Sequence, residues 1–505
     1  MLIRFAACSS RRSPSQPQRS IAASTEPSMP QFTCDLSAPS VPLHHVWSHT
    51  IGSNHARMTL RADWQDQMRR VREELGVRYV RFHGILDDDM AVLLDEQDQQ
   101  IYGFRNVDVM FDFLLGIGMK PFVELSFMPT TLASGDQTVF SYRGNVTPPR
   151  DPAAWCTLID QLVRHCVERY GLDEVRSWFF EVWNEPNLDA FWTGGQAGYF
   201  DLYKHTATTI KAIDAQLRVG GPATANDEWI PEFLKFCADQ KIACDFVSTH
   251  HYPTDALGKP GDDTEHQLAL ASADVLMHRT EKACEEANGL PVYYTEWSTT
   301  SNPFFALHDE PYAAAFVAKN FIDVAHLVHA YSYWTFSDIF DENYFSSVPF
   351  HGGFGLLTVN NVAKPSYRAV QMLARLGQEQ LVVEGIHDTV RVTVARADNR
   401  SVTALCTNHA FPQHPIEAQS VALSFDIAAD PTAVFIELID DDHANAKRSW
   451  IAMGSPMHPS VDQVRRLQAA SELQADPLIW RRVEGHVAVE FDLSAHAVAA
   501  ITLVF

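Results

Sequence analysis

Three things are scarce in this 505-residue chain, and each excludes a class of function. Positive charge is the first: 39 Lys and Arg stand against 63 Asp and Glu, a formal net charge of -24. So acidic a surface repels phosphate, which argues against nucleic acid or an anionic membrane as partner and favours a neutral ligand. Long apolar runs are the second scarcity. None reaches the roughly 18 to 20 residues that a membrane span needs, so a soluble protein of cytoplasmic or periplasmic setting is expected. Clustered cysteine is the third. The eight cysteines, at positions 8, 34, 156, 166, 237, 244, 284 and 406, form no Cys-x-x-Cys pair, and no histidine stands in zinc-ligand register. They read as reduced core thiols, with no metal and no cofactor expected.

With 46% hydrophobic and 20% charged residues, the chain is long enough for one large domain and a smaller one. Residues 1–30 stand apart, with Arg4, Arg11, Arg12, Arg19 and seven serines but no acid before Glu26. They read as a disordered or targeting-like tail, or as sequence ahead of a true start at Met29.

Over residues 43–376, short apolar runs alternate with helix-length amphipathic segments. Strands are predicted at 44–52, 77–83, 120–127, 178–184, 217–221, 245–250, 291–296 and 331–336. Helices are predicted at 63–75, 106–116, 153–170, 200–216, 230–240, 266–288, 312–326 and 366–376. Eight βα units in series specify an α/β fold, the (β/α)₈ TIM barrel. Residues 377–505 change to short β-branched runs at 382–394, 401–407, 420–426, 433–439, 485–493 and 498–505, the pattern of an accessory C-terminal β-sandwich. Between them, 443–473 reads as a long loop with a helical piece at 460–473. The N-terminal segment 31–42 is a candidate to join the sandwich.

On such a barrel the active site is built from the loops at the C-terminal ends of the strands. The fourth predicted strand runs into Trp183-Asn184-Glu185-Pro186-Asn187, where proline drives the residue before it out of helix. In a regular strand Asn184 and Glu185 would point to opposite faces, so irregular backbone is predicted between Trp183 and Asn187. The seventh predicted strand also ends in a carboxylate, Glu296. Two glutamates facing one barrel mouth suit cleavage of a glycosidic bond with retention of configuration, with carboxyl groups about 5 to 5.5 Å apart. Glu185 is assigned as acid/base and Glu296 as nucleophile. The first must hold its proton near working pH while the second stays ionised.

Further stretches carry a resemblance. They are Arg81-Phe82-His83-Gly84 with Asp88, Phe122-Val123-Glu124-Leu125-Ser126-Phe127-Met128-Pro129, Gly221-Pro222-Ala223-Thr224, Ser248-Thr249-His250-His251-Tyr252-Pro253, Thr295-Glu296-Trp297 and Tyr333-Trp334-Thr335-Phe336-Ser337-Asp338. In this order, and with the Asn-Glu-Pro stretch, the chain resembles glycoside hydrolase family 39, the family of β-xylosidases and α-L-iduronidases. The resemblance implies that Asn184 binds the sugar's 2-hydroxyl and that His250 and Tyr252 line the site, the tyrosine near the nucleophile. It implies Trp334 as an apolar floor followed by a non-proline cis bond, and Phe127 and His83 as pocket walls. Asp341 and Glu342 stand where relatives keep two acids for the distal hydroxyls, although Glu is commoner at the first position. His55 stands where some relatives have Arg.

The implied activity is that of a retaining, exo-acting β-xylosidase releasing xylose from the non-reducing end of a small β-1,4-xylo-oligosaccharide. Iduronidase, arabinopyranosidase and galactosidase activities are the alternatives, with a non-catalytic carbohydrate-binding protein behind them. A uronate would need a cationic partner, and the stretch 334–353 offers no Lys or Arg, whereas Asp338, Asp341 and Glu342 would repel it. Monomer and homo-oligomer both remain open.

Overall fold

The computed structural model describes residues 29–96, 99–254, 263–343, 345–398 and 400–505. The expected N-terminal tail lies outside them, apart from Met29 and Pro30.

Eight parallel strands form one sheet in sequential order: β1 (Thr50–His55), β2 (Tyr79–His83), β3 (Lys120–Leu125), β4 (Phe179–Val182), β5 (Arg218–Thr224), β6 (Phe246–His251), β7 (Val292–Trp297) and β8 (Ala330–Tyr333). Just past β8, the Phe336 N–H donates to the Gly52 carbonyl at 3.0 Å, so the last strand returns to the first. Glycine is required there. A Cβ on Gly52 would stand 2.7 Å from the Trp334 ring and 2.8 Å from the Tyr333 carbonyl oxygen.

Helices α1 (Ala62–Leu75), α2 (Arg105–Gly116), α3 (Pro152–Tyr170), α4 (Gly195–Ile213), α5 (Ile230–Gln240), α6 (Val275–Glu286), α7 (Pro311–Val324) and α8 (Pro365–Ala374) alternate with the strands. Their faces follow the helical period. Helix α1 buries Trp64, Gln67, Met68, Val71 and Leu75, one stripe at spacings of three and four. Helix α3 begins with Asp151 accepting from the Ala153 N–H at 2.9 Å, with Pro152 in the first turn, and stops at Gly171, whose φ is +88°. The helix predicted at 266–288 is two helices, Thr264–Leu270 and α6, parted at Ala271-Ser272-Ala273-Asp274. The predicted first strand lies too early: Val46–Ser48 is a 3₁₀ turn and β1 follows it.

The C-terminal region is two sheets packed face to face. One has five strands in the order Val383–Glu384, Gln31–Asp35, Gln419–Asp426, His486–Leu493 and Trp480–Val483. The other has seven, with Val41–Pro42 at one edge and Val498–Val504 near its centre. Phe32, Leu423, Phe425 and Val489 from the first sheet share a core with Val394, Val402, Ile436 and Ile501 from the second. The chain before the barrel therefore contributes a strand to each sheet. Gln31–Asp35 runs parallel to Gln419–Asp426, and Val41–Pro42 pairs with Glu379–Leu381. The outer side of the seven-stranded sheet packs on the barrel, where Leu405, Val498 and Ala500 join the barrel's core. Helix α7 lies at this junction and is buried on every side from Pro311 to Phe321, as an apolar helix between two layers must be. The 443–473 segment holds two helices, Ala446–Ala452 and Val461–Ala470, the second opened by a capping box between Ser460 and Gln463. The seven cysteines among the described residues are free thiols.

Candidate active site

The barrel interior is layered, and the layers come from the two-residue period of its strands. At the N-terminal end Phe122, Phe179, Phe246, Tyr293 and Ala330 form one apolar cluster against Tyr79. Two residues further along three strands stand Arg81, Glu124 and Glu181, all fully buried. The Arg81 guanidinium donates through Nε to Glu181 Oε2 at 2.8 Å and through Nη2 to Asn184 Oδ1 at 2.8 Å. It lies 2.8 Å from Glu124 Oε2 and touches Glu296 Oε1 through Nη1. One cation thus organises the layer directly beneath the barrel mouth.

Above it the strands end irregularly, which brings the two predicted glutamates together. Strand β4 stops at Val182, and both Trp183 (φ +72°) and Glu185 (φ +43°) are left-handed. This turn is held to the end of β5. The Glu185 N–H donates to the Ala223 carbonyl at 2.8 Å, and Asn187 exchanges bonds with the Ala225 backbone at 2.9 and 3.0 Å. Strand β7 slips against β6 between Thr249 and His250, so that Tyr294 faces Thr249 and Glu296 faces His250. That slip lets two consecutive residues, Thr295 and Glu296, both reach inward, to Glu181 and Arg81 respectively. Glu185, His250 and Glu296 each offer an atom within 4.8 Å of the other two.

These carboxylates open onto a cavity of about 360 Å³ at the C-terminal ends of the strands. Among the sequence-predicted residues, His83, Asn184, Glu185, Tyr252, Glu296, Trp334 and Glu342 line it. The Tyr252 hydroxyl donates to Glu296 Oε2 at 2.9 Å. Trp334 is followed by a cis peptide bond, as is Ser126. Its ring packs 4.7 Å from that of His83.

Four predicted residues stand behind the wall instead. His250 lies under Glu185, with Nδ1 3.0 Å from Glu185 Oε1. Phe127 packs against Trp183 and Phe140, and it is Phe140 that reaches the cavity. His55 is enclosed by Asp87 at 3.1 Å, Asp89 at 3.4 Å and Asp341 at 3.6 Å, under the stacked ring of Tyr142. Asp341 is therefore engaged with His55. Asp338 faces no ligand either: Lys364, itself fully buried, lies 2.7 Å from both Asp338 and Asp309. Of the three acids expected to repel a uronate, only Glu342 lines the cavity. The loop Thr138–Asn145 crosses to this side, where Ser141 donates its N–H to the Glu342 carbonyl at 2.6 Å and its hydroxyl to that of Asp341.

Burial dominates the electrostatics. It raises Glu342 well above the usual carboxylate range, reinforced by Glu296 and Asp341, so this side chain presents a neutral carboxyl. Burial pushes Glu124 up to about 7 against the pull of Arg81. It also raises Glu296, but there the Arg81 guanidinium and the Tyr252 hydroxyl both favour the charged form. Tyr252 is held a phenol by burial and by Glu296. Burial and Arg81 hold His83 down to about 3, a neutral imidazole. His55 is the opposite case: burial opposes its charge, yet Asp341, Asp87 and Asp89 outweigh burial and push it up to about 11.

Arg81, Glu124, Glu181, Thr295 and Phe140 received no role from sequence reasoning. The first three did leave a signal, since each is a charge set among the apolar residues of a barrel strand. Phe140 left none, because it comes from a loop with no periodicity to read.

The chain matches the family model described as "Glycosyl hydrolases family 39" over residues 32–487. It belongs to that family. A β-xylosidase of Caldicellulosiruptor saccharolyticus is 46% identical over 467 residues, covering 91% of this chain and 96% of its own. The crystal structure of a monomeric β-xylosidase from Caulobacter crescentus superposes with a TM-score of 0.82 at 35% identity, covering 94% of this chain and 99% of that one. Human α-L-iduronidase is more distant, 25% identical over 79% of this chain and 65% of its own. As a family 39 member the protein is a glycoside hydrolase, and its fold is that of the Caulobacter structure.

Proposed function

We propose that the protein is a retaining, exo-acting β-xylosidase in which Glu185 is the acid/base and Glu296 the nucleophile. The observation that carries this reading is the glutamate pair itself, two carboxylates from the ends of β4 and β7 within 4.8 Å across one buried cavity. Retaining enzymes keep their carboxyl groups about 5 to 5.5 Å apart, whereas inverting enzymes leave about 6.5 to 9.5 Å for a water. In the first step Glu296 attacks the anomeric carbon while Glu185 gives its proton to the leaving oxygen. In the second, Glu185 takes a proton from water as that water displaces Glu296. Arg81 and Tyr252 each place a donor on Glu296 and so favour its charged form before attack.

The exo mode rests on the loop from Thr138 to Asn145, tied to residues 341 and 342, which blocks one side of the mouth and suits a chain end. A neutral sugar rests on the wall. Among its described residues there is no Lys or Arg to pair a uronate, and the neutral Glu342 carboxyl can donate to a sugar hydroxyl.

The test is a panel of nitrophenyl glycosides with wild type, Glu185→Ala and Glu296→Ala. Xyloside is expected to be the best substrate, and each variant to lose about 100-fold or more in turnover of a substrate with a poor leaving group. Azide is expected to rescue both, with an inverted glycosyl azide from Glu296→Ala and a retained one from Glu185→Ala. Failure to cleave xyloside overturns the substrate. The same azide anomer from both variants overturns the division of roles.

A further inference from the structure

We propose that Thr295 is a positioning residue which, through His250, fixes the proton on Glu185. The proposal rests on the reading of Glu185 as the acid/base and adds how the fold holds it in the acid form.

Five side chains, joined by four hydrogen bonds, form one line beneath the cavity. Arg81 Nε donates to Glu181 Oε2 at 2.8 Å. The Thr295 hydroxyl donates to the other oxygen of that carboxylate, Oε1, at 2.7 Å. His250 Nε2 lies 2.9 Å from Thr295 Oγ1, and His250 Nδ1 lies 3.0 Å from Glu185 Oε1. The ends of the line set its polarity. A guanidinium only donates, and a carboxylate paired with one only accepts, so the single hydrogen of the Thr295 hydroxyl is spent on Glu181. Thr295 can then offer His250 only a lone pair, which places the imidazole hydrogen on Nε2. His250 is fully buried, and burial together with Arg81 keeps it neutral. Its Nδ1 therefore points a lone pair at Glu185 Oε1, and two lone pairs at 3.0 Å repel unless Glu185 supplies the hydrogen. The line thus disfavours the Glu185 carboxylate and favours the acid. No proton travels along it. When a glycosidic oxygen arrives, it competes with Nδ1 for the proton already held there. Once Glu185 is charged, the same lone pair favours its return to the acid by deprotonating water in the second step.

Other groups face Glu185 and must be separated from this effect. Tyr252 follows β6, Glu296 ends β7, Glu342 comes from the loop after β8 and His83 ends β2. His250 itself lies within the field of Arg81, His83 and His251. Negative charge on Glu296 also favours the acid form of Glu185, but it does not depend on the Thr295 hydroxyl. A change at Thr295 leaves that charge in place, and the hydrogen it would free on His250 Nδ1 faces Glu185 Oε1 at 3.0 Å and, further off, Glu296 Oε2 at 3.7 Å.

The test uses the full-length protein and three measurements. In the pH profile of kcat/KM on a xyloside with a poor leaving group, the high-pH limb reports loss of the Glu185 proton. Thr295→Val removes the hydroxyl at nearly constant shape and frees His250 to turn its hydrogen toward Glu185. The limb is expected to move to lower pH by about one unit or more, the size of effect a hydrogen bond to the charged form of a buried carboxyl produces. Thr295→Ser is expected to restore it. A packing role alone would lower activity without moving the limb. The second measurement reads the wild type: nitrogen NMR of ¹⁵N-histidine protein, with His250 assigned by its loss in His250→Ala, should show the proton on Nε2. A proton on Nδ1 in the wild type, or a limb unmoved in Thr295→Val, overturns the proposal. The third, Glu185→Ala, keeps the two readings apart. If that variant retains the limb, the role of Glu185 is wrong. If it loses the limb while Thr295→Val leaves it in place, only the line is wrong.

Discussion

Glu342 shows what this interior asks of a single residue. Its carboxyl is buried beside Glu296 and Asp341, and among the described residues its basic neighbour is His83, a neutral imidazole at 3.6 Å. A buried charge without a partner costs several kcal/mol, and neutralisation is the alternative. The folded-state pKa is raised above the ordinary value of 4.5, so above that pH the unfolded chain releases a proton that the native state keeps. Native stability therefore falls as pH rises from about 4.5 toward the folded-state value, and below about 4.5 the penalty is absent. Glu342→Gln has no proton to lose in either state. It is expected to melt higher than wild type by about 2 °C at about pH 8 and to converge with it at about pH 4.5, as thermal scans at both values would show. At this scale the sequence was legible where residues end strands, as Glu185 and Glu296 do. It was less so for His55, Asp341 and Phe127, because burial behind a wall is decided by which loop crosses in front.

Among the elements, β1 and β8 carry the closure of the barrel. Gly52→Ala places a methyl group against the Trp334 ring and the Tyr333 carbonyl. Overpacking of this kind costs about 1 to 3 kcal/mol, and here it also pushes the cavity floor. The expected result is a lower melting temperature together with a raised KM for xyloside, measured on the same preparation. The loop after β8 depends on Lys364, which lies between Asp309 and Asp338 and donates to the Gly353 carbonyl at 2.9 Å. Lys364→Met would leave two buried carboxylates without their cation, at about 3 to 5 kcal/mol. Adding Asp338→Asn removes one of those charges, and a denaturant titration should show part of the loss recovered.

Most strands and helices were legible because period and turn chemistry agree in them: β3, β6 and α5 lie within two residues of their predicted bounds. The errors have physical causes. Residues 44–49 hold Val46 and Trp47, which suit a strand, but Val46–Ser48 forms a 3₁₀ turn that seats Trp47 in the core. The slip in β7 leaves no mark in composition, since Tyr-Tyr-Thr-Glu-Trp reads equally well in regular or slipped register. It is nevertheless what turns Thr295 and Glu296 inward together.

At the scale of the whole molecule, barrel and sandwich share one apolar interior at α7. Tyr312 and Phe316 of this helix pack against His409, and Phe316 also meets Phe411. Without the sandwich, Tyr312 and Phe316 of α7 would lose the rings they pack against and meet water. A fragment ending at residue 376 is expected to be insoluble, or to melt without the single cooperative transition of the full chain, as expression and calorimetry would reveal. The two-part organisation itself was visible in composition, because β-branched runs replace the βα rhythm after Leu376. How tightly the parts are joined was not, since α7 has the same apolar richness as a helix buried in the barrel alone.

Strand Gln31–Asp35 finally bears on how the protein is made. It emerges from the ribosome ahead of the whole barrel, yet its parallel partner Gln419–Asp426 and the neighbouring His486–Leu493 are synthesised only after it. Throughout translation of the barrel its alternate Phe32 and Cys34 have no sheet to enter. Assembly of the sandwich is therefore a late, long-range event, and the waiting segment is exposed to wrong pairing in a crowded cell.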